Sequence, residues 1–173
     1  MKRVILPLNK DVLQTLHVGE IVYLTGTIYT ARDVAHKRII ESLERNEPPP
    51  FDYTGQIIYF AGPSQAAPSQ VIGSIGPTTS ARMDSYTPKL VSTGLAGCIG
   101  KGRIDKKVRD CMLENEAIYF VAVGGAGAYL SKCIKKSEVV AYEDLGAECI
   151  LKLYAEDFPV FVATDTKGGY IYE

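Results

Sequence analysis

Three short stretches of this chain combine cations with hydroxyls or glycines in a way suited to gripping a small anion. In Thr27-Ile28-Tyr29-Thr30-Ala31-Arg32-Asp33-Val34-Ala35-His36, Arg32 and His36 stand four residues apart and share one face of a predicted helix. In Gly76-Pro77-Thr78-Thr79-Ser80-Ala81-Arg82-Met83-Asp84, Thr78 or Thr79 can cap a helix start, with Arg82 one turn on. Free N–H groups at such a start attract anions, and an Arg fork adds bidentate geometry for a carboxylate or phosphate. In Gly97-Cys98-Ile99-Gly100-Lys101-Gly102-Arg103, Lys101 lies between two glycines, which allow close approach to a point charge. Each stretch also has a plain structural reading: a solvated helix face, a routinely capped helix with an incidental Arg, and a flexible turn.

Other chemistries fit less well. The Lys101 loop is not a nucleotide-binding P-loop, because Gly102 stands where Ser or Thr is required and the glycine spacing differs. Gly124-Gly125-Ala126-Gly127-Ala128 is close to a dinucleotide fingerprint, but Leu130 falls where the third glycine is due. No Ser-His-Asp set is legible, and His17 reads as structural or exposed. Cys98, Cys111, Cys133 and Cys149 are spaced 13, 22 and 16 apart. Metal ribbons and iron–sulfur motifs place at least two ligands a few residues apart, so no self-contained metal site is expected. Four small hydrophobes in a reducing compartment are the plainer reading.

The elements that must position these residues alternate in the middle of the chain. Strands are predicted at Val4–Leu6, Ile21–Ile28, Gln56–Phe60, Leu95–Ile99 and Ala117–Val123, and more at Val139–Tyr142, Glu148–Tyr154, Val160–Thr164 and Tyr170–Tyr172. A helical turn is expected near Lys10–Leu16. Helices are expected over Ala31–Arg45 with Thr30 as cap, from Pro77-Thr78-Thr79 to about Ser92, and over Ile104–Asn115. Pro48-Pro49-Pro50 stops the first of these. The stretch 64–76 is too long for a plain turn and is expected to line something. The pattern predicts one α/β domain over 1–173, with a parallel central sheet, helices, and a second, more antiparallel sheet.

Composition bounds the partners. The 173 residues carry 19 Lys+Arg against 20 Asp+Glu, and 46% are hydrophobic. This is ordinary globular chemistry, without the basic excess of a nucleic-acid binder. No apolar run approaches a membrane span, and the opening MKRVILPLNKD has too short an apolar stretch for a signal peptide. A soluble cytoplasmic protein is expected. Arg32, Arg82 and Lys101 lie on three strand-to-helix connections, which converge at one edge of a parallel sheet. Cations gathered there suit a small dianion or trianion. Without an electrophile or a carboxylate pair, they make half an active site.

In their order, the Gly26-Thr27-Ile28 and Thr30–His36 blocks, Gly62-Pro63, Gly-Pro-Thr-Thr-x-x-Arg-Met-Asp at Gly76–Asp84, and Gly100-Lys101-Gly102 resemble one family. It is the C-terminal domain, or separate beta subunit, of class I iron–sulfur hydro-lyases, the class I fumarate hydratases and L(+)-tartrate dehydratases. The tail Asp144–Glu148 to Asp157-Phe158-Pro159 is similar too, so the resemblance covers nearly the whole chain. It implies a swivelling β/β/α domain. It also implies a 4Fe–4S cluster held by three cysteines of a partner alpha subunit, with no metal bound by this chain and an open iron acting as a Lewis acid. By motif match, Arg32, Arg82 and Lys101 would bind substrate carboxylates. Thr78 and Thr79 would contact substrate, with Thr78 the acid–base participant and His36 a second candidate.

The function so implied is the beta subunit of a heteromeric fumarate hydratase, inert without its alpha subunit, binding a small dicarboxylate and neither nucleic acid nor membrane. A tartrate dehydratase beta subunit is the nearest alternative. A stand-alone anion-binding or regulatory module is the alternative from another class.

Overall fold

Strict alternation of side chains makes Ile21–Thr30 (β2) the spine of the molecule: Val22, Leu24, Gly26, Ile28 and Thr30 are buried and the residues between them are not. The computed structural model describes residues 1–123 and 126–173. Lys2–Ile5 (β1) lies parallel to the first half of β2, followed by the short helix Lys10–Gln14 (α1), which Asn9 caps by accepting the Val12 N–H at 2.9 Å. Ile57–Tyr59 (β3) lies parallel to the last residues of β2, and Gly97–Gly100 (β4) and Ile118–Val121 (β5) continue the parallel run. β3 and β4 are buried at every position, as expected of strands covered on both faces.

The antiparallel strands do not form a second sheet. Ile134–Ala141 (β6) and Ile150–Val162 (β7) join the same seven-stranded sheet, in the order β1-β2-β3-β4-β5-β7-β6. β7 pairs antiparallel with β5 and also with β2, so the pairings β2–β3–β4–β5–β7–β2 close a ring. The fold is mixed α/β as expected, but in place of a second sheet the antiparallel strands extend the parallel run and return to β2. The chain read as separate strands at Glu148–Tyr154 and Val160–Thr164 is one strand. Between Leu24 and Gly26 the register shifts, and two residues of β7, Glu156 and Asp157, oppose Thr25. Asp157 takes a positive φ of 49° there, and its N–H bonds Thr25 Oγ1 at 3.0 Å, the marks of a bulge. Gly26, with φ 139°, is obligatory: a Cβ would stand 2.7 Å from Leu6 Cβ.

Two cores follow from the strand alternation. Leu24, Ile28, Tyr59, Ile99, Phe120 and Phe158 face into the ring. Ile58, Phe60, Cys98 and Tyr119 face outward, under helices Asp33–Glu44 (α2), Thr87–Ser92 (α3) and Lys106–Glu114 (α4). Ala35, His36 and Ile39 are the buried stripe of α2, and Val108 and Met112 that of α4. A further helix, Gly127–Lys132 (α5), was not legible in the sequence. Gly124 and Gly125 of the near-dinucleotide turn lie outside the described residues. Among the described residues no helix is long and apolar enough to cross a membrane.

Several boundaries differ from expectation. Thr30 does not cap α2. It remains in β2 opposite Tyr59, fully buried, and its Oγ1 accepts the Leu151 N–H at 3.1 Å. The N-cap position falls to Arg32, and Glu148 from the 3₁₀ segment Glu143–Glu148 accepts the Val34 N–H at 3.3 Å instead. The stretch after Pro77 is no continuous helix: a 3₁₀ turn, Ser80–Met83, precedes α3. Tyr170–Tyr172 contributes only a bridge between Tyr170 and Thr164.

Candidate functional site

Parallel strands share an edge, and here the carboxyl ends of β2, β3 and β4 run into Arg32, Gly62 and Lys101. Ladder bonds continue past the strands. Ala31 N–H donates to Tyr59 O at 3.0 Å, and Phe60 N–H to Ile99 O at 2.8 Å. The long excursion 64–76 then returns, and Thr78 N–H donates to Phe60 O at 2.7 Å. Thr79 bridges Lys101 in parallel fashion, and Ser80 N–H donates to Lys101 O at 3.0 Å. This pairing holds Thr79 extended (φ −56°, ψ 120°), so neither Thr78 nor Thr79 caps an α-helix as the spacing suggested. Their hydroxyls are left for other work.

The guanidinium of Arg82 reaches back to α2 and ion-pairs with Asp33 Oδ2. Arg32, one residue before Asp33, runs across the backbone of Gly62. A Cβ on Gly62 would meet Arg32 Cδ at 2.8 Å and Ala147 O at 2.7 Å. A glycine is therefore needed to let the Arg32 side chain and the segment Glu143–Glu148 both close on this point of the backbone. That segment is itself fastened to α2 by Arg38, bidentate to Asp144 at 3.0 and 2.7 Å. Lys101 is exposed and has no ion-pair partner among the described residues.

His36 lies one turn behind Arg32 with no exposed surface. Its Nδ1 stands 2.8 Å from Arg32 O; a carbonyl only accepts, so Nδ1 carries the proton. The ring meets Phe60 edge-on at 5.3 Å and stacks near Tyr86 at 6.0 Å, leaving Nε2 buried without a partner. Burial brings its pKa down to about 4, against the opposing pull of the Arg32 carbonyl and the Asp33 carboxylate. The imidazole is neutral at pH 7.

The structure thus joins Arg32, Thr78, Thr79, Arg82 and Lys101 through two links, Asp33–Arg82 and the Thr79–Lys101 pairing, and sets His36 beneath them. Asp33, Ser80 and Tyr119 were not singled out by the sequence. The Tyr119 hydroxyl lies 2.7 Å from Ser80 Oγ and 2.8 Å from Gly102 O. Asp33 is 49 residues from the Arg it pairs with, and Tyr119 reads as an ordinary strand aromatic, so neither carries a local signal.

Cation chemistry at this edge suits an anion with more than one carboxylate. The cysteines suit no cluster. Cys98, Cys133 and Cys149 are buried and Cys111 is partly so. Burial, the largest influence on each, raises all four thiol pKa values, which disfavours the thiolate a metal requires. Among the described residues no three His, Cys, Asp or Glu side chains gather to hold a metal ion. The residues present do not fit an iron–sulfur cluster.

Comparison with known proteins gives one family, described as Fumarase C-terminus, matching residues 1–173. A Methanocaldococcus jannaschii protein carrying the provisional name L(+)-tartrate dehydratase subunit beta is 41% identical over an alignment of 172 positions that covers 96% of this chain and 88% of that protein. Fumarate hydratase 2 of Leishmania major is 39% identical over 90% of this chain and 28% of its own length. The aerobic class I fumarate hydratase of Salmonella typhimurium is 37% identical over 94% of this chain and 29% of its own length. The chain therefore spans under a third of these two fumarate hydratases.

Proposed function

Since this chain belongs to the fumarase C-terminus family, we propose that it is the beta subunit of a two-subunit hydro-lyase that adds water reversibly to fumarate, giving (S)-malate. The observation that carries the reading is the joined set Arg82–Asp33 and Thr79–Lys101 at the strand ends, on the most specific motif of the family. The single domain 1–173 would supply the grip on the dicarboxylate, and the alpha subunit the 4Fe–4S cluster, whose chemistry is Lewis-acid polarisation of the oxygen that is added or removed. The name of the M. jannaschii relative, a subunit spanned to 88%, supports the division into two chains.

In this reading Arg32 and Arg82 each present a planar fork to a carboxylate, and Lys101 adds a point charge beside them. Water adds across the double bond as a hydroxyl at one carbon and a proton at the other. The carbon that takes the proton gathers negative charge toward its carboxylate, so cations fixed on that carboxylate stabilise the transition state beyond the ground state. A proton must sit close to the same carbon. Thr78 is half-buried at the site edge, with its backbone tied to Phe60, and is better placed for this than His36. An isolated threonine is a weak base, so its hydroxyl would hold and relay a proton under a partner's charge. The neutral His36 would fix the Arg32 carbonyl and, through it, the start of α2. An alpha subunit closing over this edge would exclude water and strengthen every one of these contacts.

A second reading, the tartrate dehydratase beta subunit, is favoured by the 41% identity to the M. jannaschii subunit. The two substrates share the carboxylates that Arg32, Arg82 and Lys101 would hold. The test is co-expression with the encoded alpha subunit, anaerobic reconstitution, and assay on both substrates. Fumarate hydration at the higher kcat/KM supports the proposal. Turnover of tartrate alone selects the second reading, and a chain that forms no complex and binds dicarboxylates by itself would be the stand-alone module.

A further inference from the structure

The geometry points to Tyr119 as a positioning residue that, with Ser80, sets the spacing between the Thr78–Arg82 loop and the Lys101 loop; this rests on the proposed substrate-gripping role of those loops. Tyr119 lies in β5, fully buried, with its phenol directed at the strand-end edge. Its hydroxyl is shared between the two loops, 2.7 Å from Ser80 Oγ and 2.8 Å from Gly102 O. A phenol has one proton and a carbonyl can only accept. The Tyr119 proton therefore goes to Gly102 O, and Ser80 donates its own hydroxyl proton to the phenol oxygen.

The clamp is tight on its other sides as well. Ser80 Oγ sits so close over Gly100 that a Cβ there would stand 1.9 Å from it, and Phe60 Cδ2 would be 2.9 Å away. Ser80 cannot swing toward β4, and its main chain is fixed by the N–H to Lys101 O at 3.0 Å. One buried hydroxyl thus bonds the residue after Thr79 and the residue after Lys101. Thr79 and Lys101, two of the side chains proposed to touch substrate, are exposed and make no side-chain hydrogen bond or ion pair among the described residues, so their spacing is set by the main-chain pairing of Thr79 and Ser80 with Lys101 and by this hydroxyl behind it. A fully buried Ser80 hydroxyl and a part-buried Gly102 carbonyl, bonded to one phenol, fix the two loops against each other.

Tyr119→Phe keeps the ring and removes both bonds. It leaves the buried Ser80 hydroxyl without its phenol partner and turns the half-exposed Gly102 carbonyl over to water. In the reconstituted two-chain enzyme we expect KM for the dicarboxylate to rise about three- to tenfold, the range for one neutral hydrogen bond, with kcat falling less than KM rises. Ser80→Ala should do the same, and the double variant should be no worse than either alone, because they share one element. Tyr53→Phe is the matched control. It loses a buried phenol bond to Thr93 Oγ1, at 2.6 Å, before β3 rather than at its carboxyl end, and its KM should stay at the wild-type value.

Amide exchange on the chain by itself gives a readout independent of catalysis. The Ser80 amide should exchange roughly three- to tenfold faster in Tyr119→Phe and not in Tyr53→Phe. Unchanged Ser80 exchange, or an unchanged KM in an active complex, overturns the clamp. Loss of kcat at constant KM in proportion to lost folded protein also overturns it, since that is the mark of a purely structural residue. A wild-type complex inert toward both fumarate and tartrate overturns the functional reading on which the proposal rests, and Ser80 exchange tells that failure apart from failure of the clamp.

Discussion

Acid should destabilise this protein through one residue in particular. His36 is wholly buried and neutral, with a pKa of about 4 against an ordinary 6.5. The desolvation cost of its charged form is the main cause, offset in part by the Arg32 carbonyl and the Asp33 carboxylate. The unfolded chain thus takes up a proton at higher pH than the folded one. Stability from this group is complete above about 6.5, falls as pH drops through the window down to about 4, and is constant below it. Between pH 7.5 and pH 4.5 the two titrations differ by roughly 2 to 3 kcal/mol. His36→Phe keeps a ring against Phe60 and Tyr86 and cannot titrate. The assay is urea unfolding at both pH values, followed by far-UV circular dichroism because the chain has no Trp. Carboxylates titrate in both proteins, so the quantity read is the difference of differences. Wild type should lose roughly 2 to 3 kcal/mol more than His36→Phe over this window. Equal losses would mean that His36 takes a proton freely while folded, and would restore it as an acid–base candidate.

Arg82→Ala should lower kcat/KM of the reconstituted enzyme by at least a decade, with Arg82→Lys only partly restoring it, since a charge-assisted bond contributes roughly 1.5–3 kcal/mol. The Asp33–Arg82 pair is half-exposed on the Arg side, so the melting temperature should move by no more than a few degrees; a large loss of stability with normal kcat/KM would make Arg82 structural. Gly62→Ala should raise KM several-fold by displacing Arg32, against which the new Cβ would press, and a crystal structure with Arg32 unmoved would refute the cause. Asp165 accepts the N–H groups of Val18, Lys167 and Gly169. Burial pushes its pKa up, but those bonds together hold it below the usual value, so its stabilisation is present above about pH 4 and fades as pH falls through the lowered pKa. Asp165→Ala should cost roughly 1–3 kcal/mol in urea unfolding at pH 7, with no change in KM.

Local pattern made much of this fold legible. The alternation of β2, the apolar runs of β3 to β5 and the proline stop after α2 depend only on near neighbours, and the strands lie where those patterns put them. Closure of the sheet does not. The expectation divides β7 into Glu148–Tyr154 and Val160–Thr164, with a gap that holds Asp157 and Pro159. They are carried within the strand because β2 runs alongside and the bulge at Thr25 absorbs the extra residue. The same division holds in the candidate site. Cations flanked by glycine and threonine declare themselves by type and spacing. Their supports, Asp33 for Arg82 and Tyr119 for the two loops, are contacts across 49 residues in one case and 39 and 17 in the other, visible only once the chain is folded. Misreading Thr79 as a helix cap has the same origin: its backbone is taken by Lys101, a strand away.

The unmatched polar atoms gather at the same edge as the cations. Five buried side-chain atoms lack a hydrogen-bond partner among the described residues: Arg32 Nε, Asp33 Oδ1, His36 Nε2, Asp84 Oδ1 and Arg109 Nε. Buried polar groups are nearly always paired, and an unmatched one costs about 1–3 kcal/mol. Four of the five belong to one neighbourhood, the first turn of α2 and the segment after the 3₁₀ turn, linked by Arg82 to Asp33 and by Tyr86 to His36. Random leftovers of packing would be scattered over both cores. The concentration of these atoms beside Arg32 and Arg82 makes the first turn of α2 the least satisfied polar region among the described residues. Closed off from solvent as folded, these atoms stay unmatched unless the first turn of α2 shifts or a water enters, so this edge is where the chain holds its polar groups least firmly.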